Sequence, residues 1–329
     1  MKKEKRLIAI IIAILLLSGL CPGFAQGAAA PPSAREGEVI IDPSQVTVPL
    51  AASPVMQAIE LPAAPGTRVN KNQKALVDYS NTADGYIMIK YLQPTTKQLR
   101  VRVTGPSTVA YQYTLKSNGD YEVFPLSDGN GNYSVGVFEQ IDGNRFSTSS
   151  STTISVSLSD QYAPFLRPNQ YVNFNSNSTV VTKAADLVKS SKTLPDEISA
   201  VYNYIISNFT YDKDFAAAVA RGEHAGYVPN VDTVLSQKKG ICFDYAAVMT
   251  AMLRSLSIPT RLVIGYAGDA YHAWINVYSD ETGWINSVIY FDGKDWKLMD
   301  PTFASTSKQS AEFLKLVGDG STYKPRFLY

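Results

Sequence analysis

Cysteine is nearly absent: the 329-residue chain holds two, Cys21 and Cys242. A disulfide framework and a cysteine-rich zinc site are therefore excluded. Histidine is equally scarce, with only His224 and His272, and no pair at metal-ligand spacing. No metal is expected. Charge of one sign is also missing, since 30 Lys and Arg face 29 Asp and Glu. That balance gives no footprint for nucleic acid or for an anionic membrane surface. No glycine-rich phosphate loop occurs, and the expected cofactor list is empty. Long apolar runs are limited to Leu7–Leu17, too short for a comfortable bilayer span.

What is present begins with an export pattern. Lys2, Lys3, Lys5 and Arg6 precede the apolar run, and small residues follow in Phe24-Ala25-Gln26-Gly27-Ala28-Ala29-Ala30. Residues 1–30 read as a signal peptide, so the product is expected to be secreted or displayed at the cell surface, with no stable membrane span after cleavage. Leu20 is bulky where bacterial lipoprotein signals carry a small residue, which argues against a lipid anchor on Cys21. Cleavage beyond Cys21 leaves Cys242 alone. An odd cysteine in an exported protein is either a reactive thiol or a liability.

The length suggests two domains. Residues 31–70 read as a Pro/Ala-rich linker, because prolines 31, 32, 43, 49, 54, 62 and 65 fix φ and remove donors. From 71 to 160 the period becomes two. Leu99, Val101 and Val103 alternate with Arg100 and Arg102, and Tyr111, Tyr113 and Leu115 alternate with Gln112 and Thr114. Asn118-Gly119, Asp128-Gly129, Asn130-Gly131 and Asp142-Gly143 supply the positive φ of tight hairpins. About seven strands are expected, as an all-β immunoglobulin-like sandwich serving as a spacer or binding module. The abundant tyrosines, 20 in all, read mainly as packing.

Residues 161–329 switch to helices and then strands. Ser178 is the expected cap of a first helix. Pro195 opens a second, with Ile198, Val201, Tyr202, Ile205 and Phe209 on one face. A loop rich in Ala and Gly is expected from Tyr211 to Tyr227. Asp232 is the expected cap of a short helix ending near Lys239-Gly240. Cys242 opens a long apolar helix that stops before Pro259. Strands follow at 261–266, 272–278, 287–291 and 296–299.

Three residues carry candidate chemistry, each against a bland alternative. A cysteine on an apolar helix is more often an inert hydrophobe. Cys242, however, falls at the helix start, where free N–H groups and the dipole favour the thiolate. A lone histidine at a strand start is usually structural, but His272 is the available base for such a thiol. An aspartate before proline is usually a turn former, but Asp300 closes an apolar strand from which it could orient the imidazole. About thirty residues separate Cys242 from His272, and about as many separate His272 from Asp300. His224 reads as a solvated loop residue.

The segment from Val231 to Phe303 resembles the transglutaminase-like superfamily, which shares its catalytic logic with papain-type proteases. The motifs are Lys239-Gly240-Ile241-Cys242-Phe243-Asp244-Tyr245-Ala246, Ile258-Pro259-Thr260-Arg261 with Gly265-Tyr266, His272-Ala273-Trp274, and Asp300-Pro301-Thr302. The resemblance implies an α+β fold with the cysteine helix packed on an antiparallel sheet. It implies that Cys242 attacks a carboxamide or peptide carbonyl, His272 protonates the leaving amine, and a thioester passes to an amine or to water. The Cys242 N–H is the first expected oxyanion donor, and a side chain upstream supplies a second, with Tyr211 preferred to Gln237. Protein or peptide substrates follow, including cell-wall peptides. Cross-linking, deamidation and peptidase activity stay open, as does a non-catalytic surface-binding protein on the same scaffold.

Overall fold

The computed structural model describes residues 59, 61–280, 283–285, 289–291, 296–298 and 323–329. Residues 1–30, read above as a signal peptide, most of the segment read as a linker, and Asp300 lie outside the described residues. The chain divides into two compact units, one formed by Ile59–Tyr171 together with Tyr329, the other including Val172–Leu328.

The first unit is built from β1 (Val69–Lys71), β2 (Ala75–Asp78), β3 (Tyr86–Tyr91), β4 (Leu99–Thr104), β5 (Ala110–Leu115), β6 (Glu122–Pro125), β7 (Gly131–Asp142) and β8 (Arg145–Val156). These form two antiparallel four-stranded sheets, in the orders β1-β2-β3-β6 and β5-β4-β7-β8. The alternation works as expected: Leu99, Val101 and Val103 are buried, while Arg102 is exposed. Arg100 and Arg102 lie over the rings of Phe146 and Phe138, at 4.0 and 5.3 Å, so the wet face is covered by stacked guanidinium groups. Of the four glycine turn signals, Asp142-Gly143 closes a hairpin, between β7 and β8. The others connect strands of different sheets, so their positive φ serves crossovers between layers. Each large side chain buried in the core, such as Ile87, Ile89, Phe124 and Tyr133, contributes about 1.5–3 kcal/mol. Tyr329 packs edge-on against Tyr171 at 4.7 Å and Tyr111 at 5.5 Å, which closes an aromatic cluster around Tyr113.

The second unit contains α1 (Thr179–Leu187), α2 (Leu194–Asn208), β9 (Thr210–Tyr211), α3 (Lys213–Ala220), α4 (Val231–Gln237), β10 (Lys239–Gly240) and α5 (Cys242–Ser255). Then come β11 (Thr260–Ala267), β12 (Ala270–Ser279), β13 (Gly283–Ile285), β14 (Ile289–Phe291), β15 (Trp296–Leu298) and β16 (Tyr323–Leu328). The main sheet has the order β13-β12-β11-β16 and is antiparallel. Helix α5 packs against β11 and β12 and against α1, α2 and α4, and every residue from Asp244 to Ser255 is buried. It is the central element of this unit.

Four expectations need correction. Ser178 stands at the cap position of α1, but its hydroxyl accepts the Asn175 N–H, and the Asp232 carboxylate receives the Val180 N–H and the Thr179 hydroxyl. Asp232 thus caps α1 from a neighbouring helix, and Asn230 caps α4 through the Thr233 N–H. The stretch after Tyr211 is not all loop. Asp212 accepts the Phe215 N–H and opens α3, in an alanine-rich segment of high helix propensity. Strands β13 and β16 were not foreseen at all.

Candidate active site

Cys242 is the first residue of α5, partly exposed where the following turns are fully buried. The chain reaches it through β10, which pairs in parallel with β9 so that Gly240 lies across from Tyr211. The Asp212 N–H donates to the Gly240 carbonyl at 2.8 Å, and the Thr210 N–H to the Lys238 carbonyl at 2.9 Å. This short ladder brings Tyr211 beside the turn that presents the thiol. Lys238 makes the turn in the left-handed region, at φ 52°. Gln237, the other proposed oxyanion donor, is exposed at the end of α4.

His272 lies in β12, opposite Gly265 of β11, and is 6 % exposed. Its ring is near-parallel to Trp274 at 6.3 Å and tilted to Tyr323 of β16 at 6.4 Å. The sheet is irregular here, with a register shift between Ile264 and Gly265 against β16. A Cβ on Gly265 would strike the Lys324 carbonyl and come within 2.8 Å of the Trp274 ring. Glycine at this position lets β16 cross close to the histidine's partner. Since α5 packs on β12, the helix headed by Cys242 and the strand carrying His272 are direct neighbours. Asp300 lies outside the described residues, and His224 is exposed with its ring edge-on to Phe215 at 4.9 Å.

Two residues at this helix start were not given a role by sequence reasoning. Asp244, in the first turn of α5, is 1 % exposed. One carboxylate oxygen accepts the Ile241 N–H at 2.8 Å, and the other accepts the Tyr227 hydroxyl at 2.5 Å. Burial pushes the Asp244 carboxyl upward, hydrogen bonds from Tyr227 and Ile241 pull it back, and Asp212 adds a smaller upward push. Burial also raises Tyr227, and its contact with Asp244 adds to this. Gly240 is required by the same packing, because a Cβ there would meet the Asp244 Cβ at 2.6 Å. The signal for Asp244 was legible as an acidic residue three positions past the cap. Tyr227 gave none, being separated by a loop and a helix. Asp244, Tyr227, Asp212, Phe215 and Lys239 line a cavity of about 310 Å³ beside this turn.

Elsewhere in this unit, burial lowers Arg254 to about 9 while its Nε donates to the Thr260 carbonyl at 2.9 Å. Burial, with a smaller push from Asp196, raises Glu197 of α2 to about 7. Among the described residues no helix is long and apolar enough to cross a membrane.

Residues 181–287 match the family model of the transglutaminase-like superfamily. Over 125 residues the chain is 30 % identical to the uncharacterized protein YebA of Bacillus subtilis, covering 32 % of this chain and 16 % of that protein. Over 105 residues it is 29 % identical to the protein-glutamine gamma-glutamyltransferase of Pseudomonas aeruginosa, covering 27 % of this chain and 14 % of that protein. The chain thus spans only a small part of the length of these relatives. Among solved structures, a candidate cysteine protease from Cytophaga hutchinsonii aligns at 15 % identity and TM-score 0.34, over 68 % of this chain and 86 % of that one. The segment from 181 to 287, which holds both Cys242 and His272, is a transglutaminase-like domain.

Proposed function

We propose that the second unit is an exported, cysteine-dependent acyl transferase acting on protein or peptide carboxamides, with Cys242 as nucleophile, His272 as acid and base, and Asp300 as the group that orients the imidazole. The observation that carries this reading is a thiol, alone among the described residues, on the first residue of a helix packed against the strand that holds a buried histidine.

In the first half-reaction the Cys242 sulfur attacks the carbonyl carbon, and the C–N bond breaks as the His272 imidazolium gives its proton to the departing ammonia or amine. The resulting thioester is attacked by a primary amine or by water, whose proton returns to the imidazole, and the C–S bond breaks to release the product and restore the Cys242 thiolate. The Cys242 N–H and the Tyr211 hydroxyl are the proposed oxyanion donors. The ladder that sets Tyr211 against Gly240 supports that pairing. Similarity to a protein-glutamine gamma-glutamyltransferase supports glutamine as acyl donor and a primary amine as acceptor. Substrates outside the cell, including cell-wall peptides, fit the export pattern at the N-terminus.

The test is incubation of the chain with a glutamine-containing peptide and a labelled primary amine, read by mass spectrometry. Incorporation of the amine, lost in Cys242→Ala, is the expected result. Deamidation or cleavage that needs Cys242 would assign water as the acceptor. An unchanged peptide, together with alkylation of Cys242 that follows an ordinary thiol, would overturn the enzymatic reading.

A further inference from the structure

The outer face of the sheet β5-β4-β7-β8 carries a cluster of cations and rings with no part in the chemistry of the second unit. Register puts Arg100 across from Phe138 and Thr114, and Arg102 across from Gly136 and Gln112, on the side opposite the buried Leu99, Val101 and Val103. The Arg100 guanidinium stands 4.0 Å from the centre of the Phe146 ring, and that of Arg102 stands 5.3 Å from the centre of Phe138. A Cβ on Gly136 would come within 2.7 Å of the Phe138 ring, so glycine lets that ring lie down on the strand. Lys74, Arg145 and Arg167 of the same unit each pair with a carboxylate. Among the described residues, Arg100 and Arg102 have no such partner. Burial, and then the charge of Arg102, pull Arg100 below its ordinary value, and an anion would relieve both cations of that repulsion.

We propose that this face binds a carboxylate-bearing polysaccharide, whose carboxylates pair with the edges of the Arg100 and Arg102 guanidinium groups. Stacking on a ring covers the flat side of a guanidinium and leaves its N–H edge open, which is where a carboxylate binds through two parallel hydrogen bonds. The rings also restrain two long side chains in advance, which reduces the entropy lost on binding. Arg100 and Arg102 are alternate residues of one strand, so their Cα atoms stand about 7 Å apart and one extended polyanion meets both. Exposed hydroxyls of Ser134, Ser151 and Thr153 share this face and match the hydroxyls of a sugar chain. An acidic peptide fits less well. On the face of a sheet its backbone amides meet no free N–H or C=O, because those groups are spent in the ladders. Nucleic acid is disfavoured too. It is held by many phosphate contacts and by bases stacked on open rings, whereas each ring here already carries a guanidinium.

The experiment titrates the full chain with oligogalacturonate in a calorimeter, at low and at moderate salt. Maltooligosaccharide serves as the uncharged control, and poly-glutamate and a thymidine oligonucleotide serve as rival polyanions. Saturable binding to oligogalacturonate, weakened by salt and absent with the uncharged control, is expected. Arg100→Gln combined with Arg102→Gln is expected to weaken it about tenfold or more, the scale of losing hydrogen bonds to a charged group. Circular dichroism checks the fold of each variant. Arg102→Gln alone, at an exposed position, gives a second reading with a smaller loss if the double variant does not fold. No binding to oligogalacturonate, equal or tighter binding of either rival polyanion, or unchanged affinity in folded variants would overturn the proposal. Neither variant alters Cys242 or His272, so these results stand apart from the acyl-transfer test.

Discussion

The two units bury carboxylates for different purposes. In the β unit Asp78 receives the Gly66 and Ser80 N–H groups, and Asp128 receives the Ser107 N–H, so each closes a turn with backbone donors. In the transglutaminase-like unit Asp244 and Glu197 are buried within helices, and both are held above the ordinary carboxylate range by loss of water. The difference teaches where desolvation is tolerated. Asp244 regains part of its lost hydration from the Ile241 N–H and the Tyr227 hydroxyl, whereas the buried Oε2 of Glu197 meets no hydrogen-bond partner among the described residues. Shifted groups of this kind gather where chemistry is done, although ion networks of purely structural role also shift them.

The sharpest way to break that contrast is to remove the thiol. Cys242→Ala is expected to eliminate amine transfer and alkylation of that peptide while leaving the circular dichroism spectrum unchanged; residual turnover would move the chemistry elsewhere. Asp300→Ala is expected to lower kcat by about ten-thousandfold, the scale at which an orienting carboxylate acts in a triad. An unaltered rate removes Asp300 from the mechanism. In the β unit the expected loss is of stability alone. Ile89→Ala leaves a cavity in a core position that is 0 % exposed, at a cost of about 2–5 kcal/mol in denaturant melts, with kcat unchanged below the transition. A change in kcat there would show that the units are not energetically separate in their roles.

The smallest effect is a pH dependence. Glu197 is raised from 4.5 to about 7 in the folded unit. The folded state therefore keeps a proton that the unfolded chain releases. Its contribution to stability is complete below about pH 4.5, falls as the pH rises to about 7, and is flat above that. Glu197→Gln should abolish this slope and gain on the order of 1–2 kcal/mol over the wild type at pH 8. Urea melts at pH 4.5, 7 and 8 would show it, and parallel curves for the two proteins would refute it.

Legibility in the sequence followed the range of the forces involved. The burial of Leu99, Val101 and Val103 was readable because a strand's two faces are set by its own alternation. The start of α5 at Cys242 was readable because Gly240 and Pro259 bracket an apolar run. Helix α3 was not, since Gly222 and Gly226 drew attention from the Asp212 cap and the alanines behind it. β16 was hidden by Pro325, a poor strand residue that is tolerated because this is an edge strand with a local irregularity. The exchange of caps between Ser178 and Asp232 depends on two helices meeting. The Tyr227–Asp244 bond depends on a loop meeting a helix, and no local pattern announces either contact. Likewise the parallel ladder that sets Tyr211 against Gly240 joins segments separated by α3 and α4.

The path of β16 bears on how the protein is made. Strands β11 and β12 are joined by a tight turn at Gly268 and can pair as soon as both have left the ribosome. The outer flank of β11 waits for the segment that begins at Tyr323. A nascent chain in that interval carries the hairpin with the histidine but presents a bare row of amides and carbonyls, the kind of edge that recruits stray strands. Tyr323–Leu328 is thus the segment that closes the open edge of the sheet, and removing it should leave the His272 hairpin exposed to edge-on association.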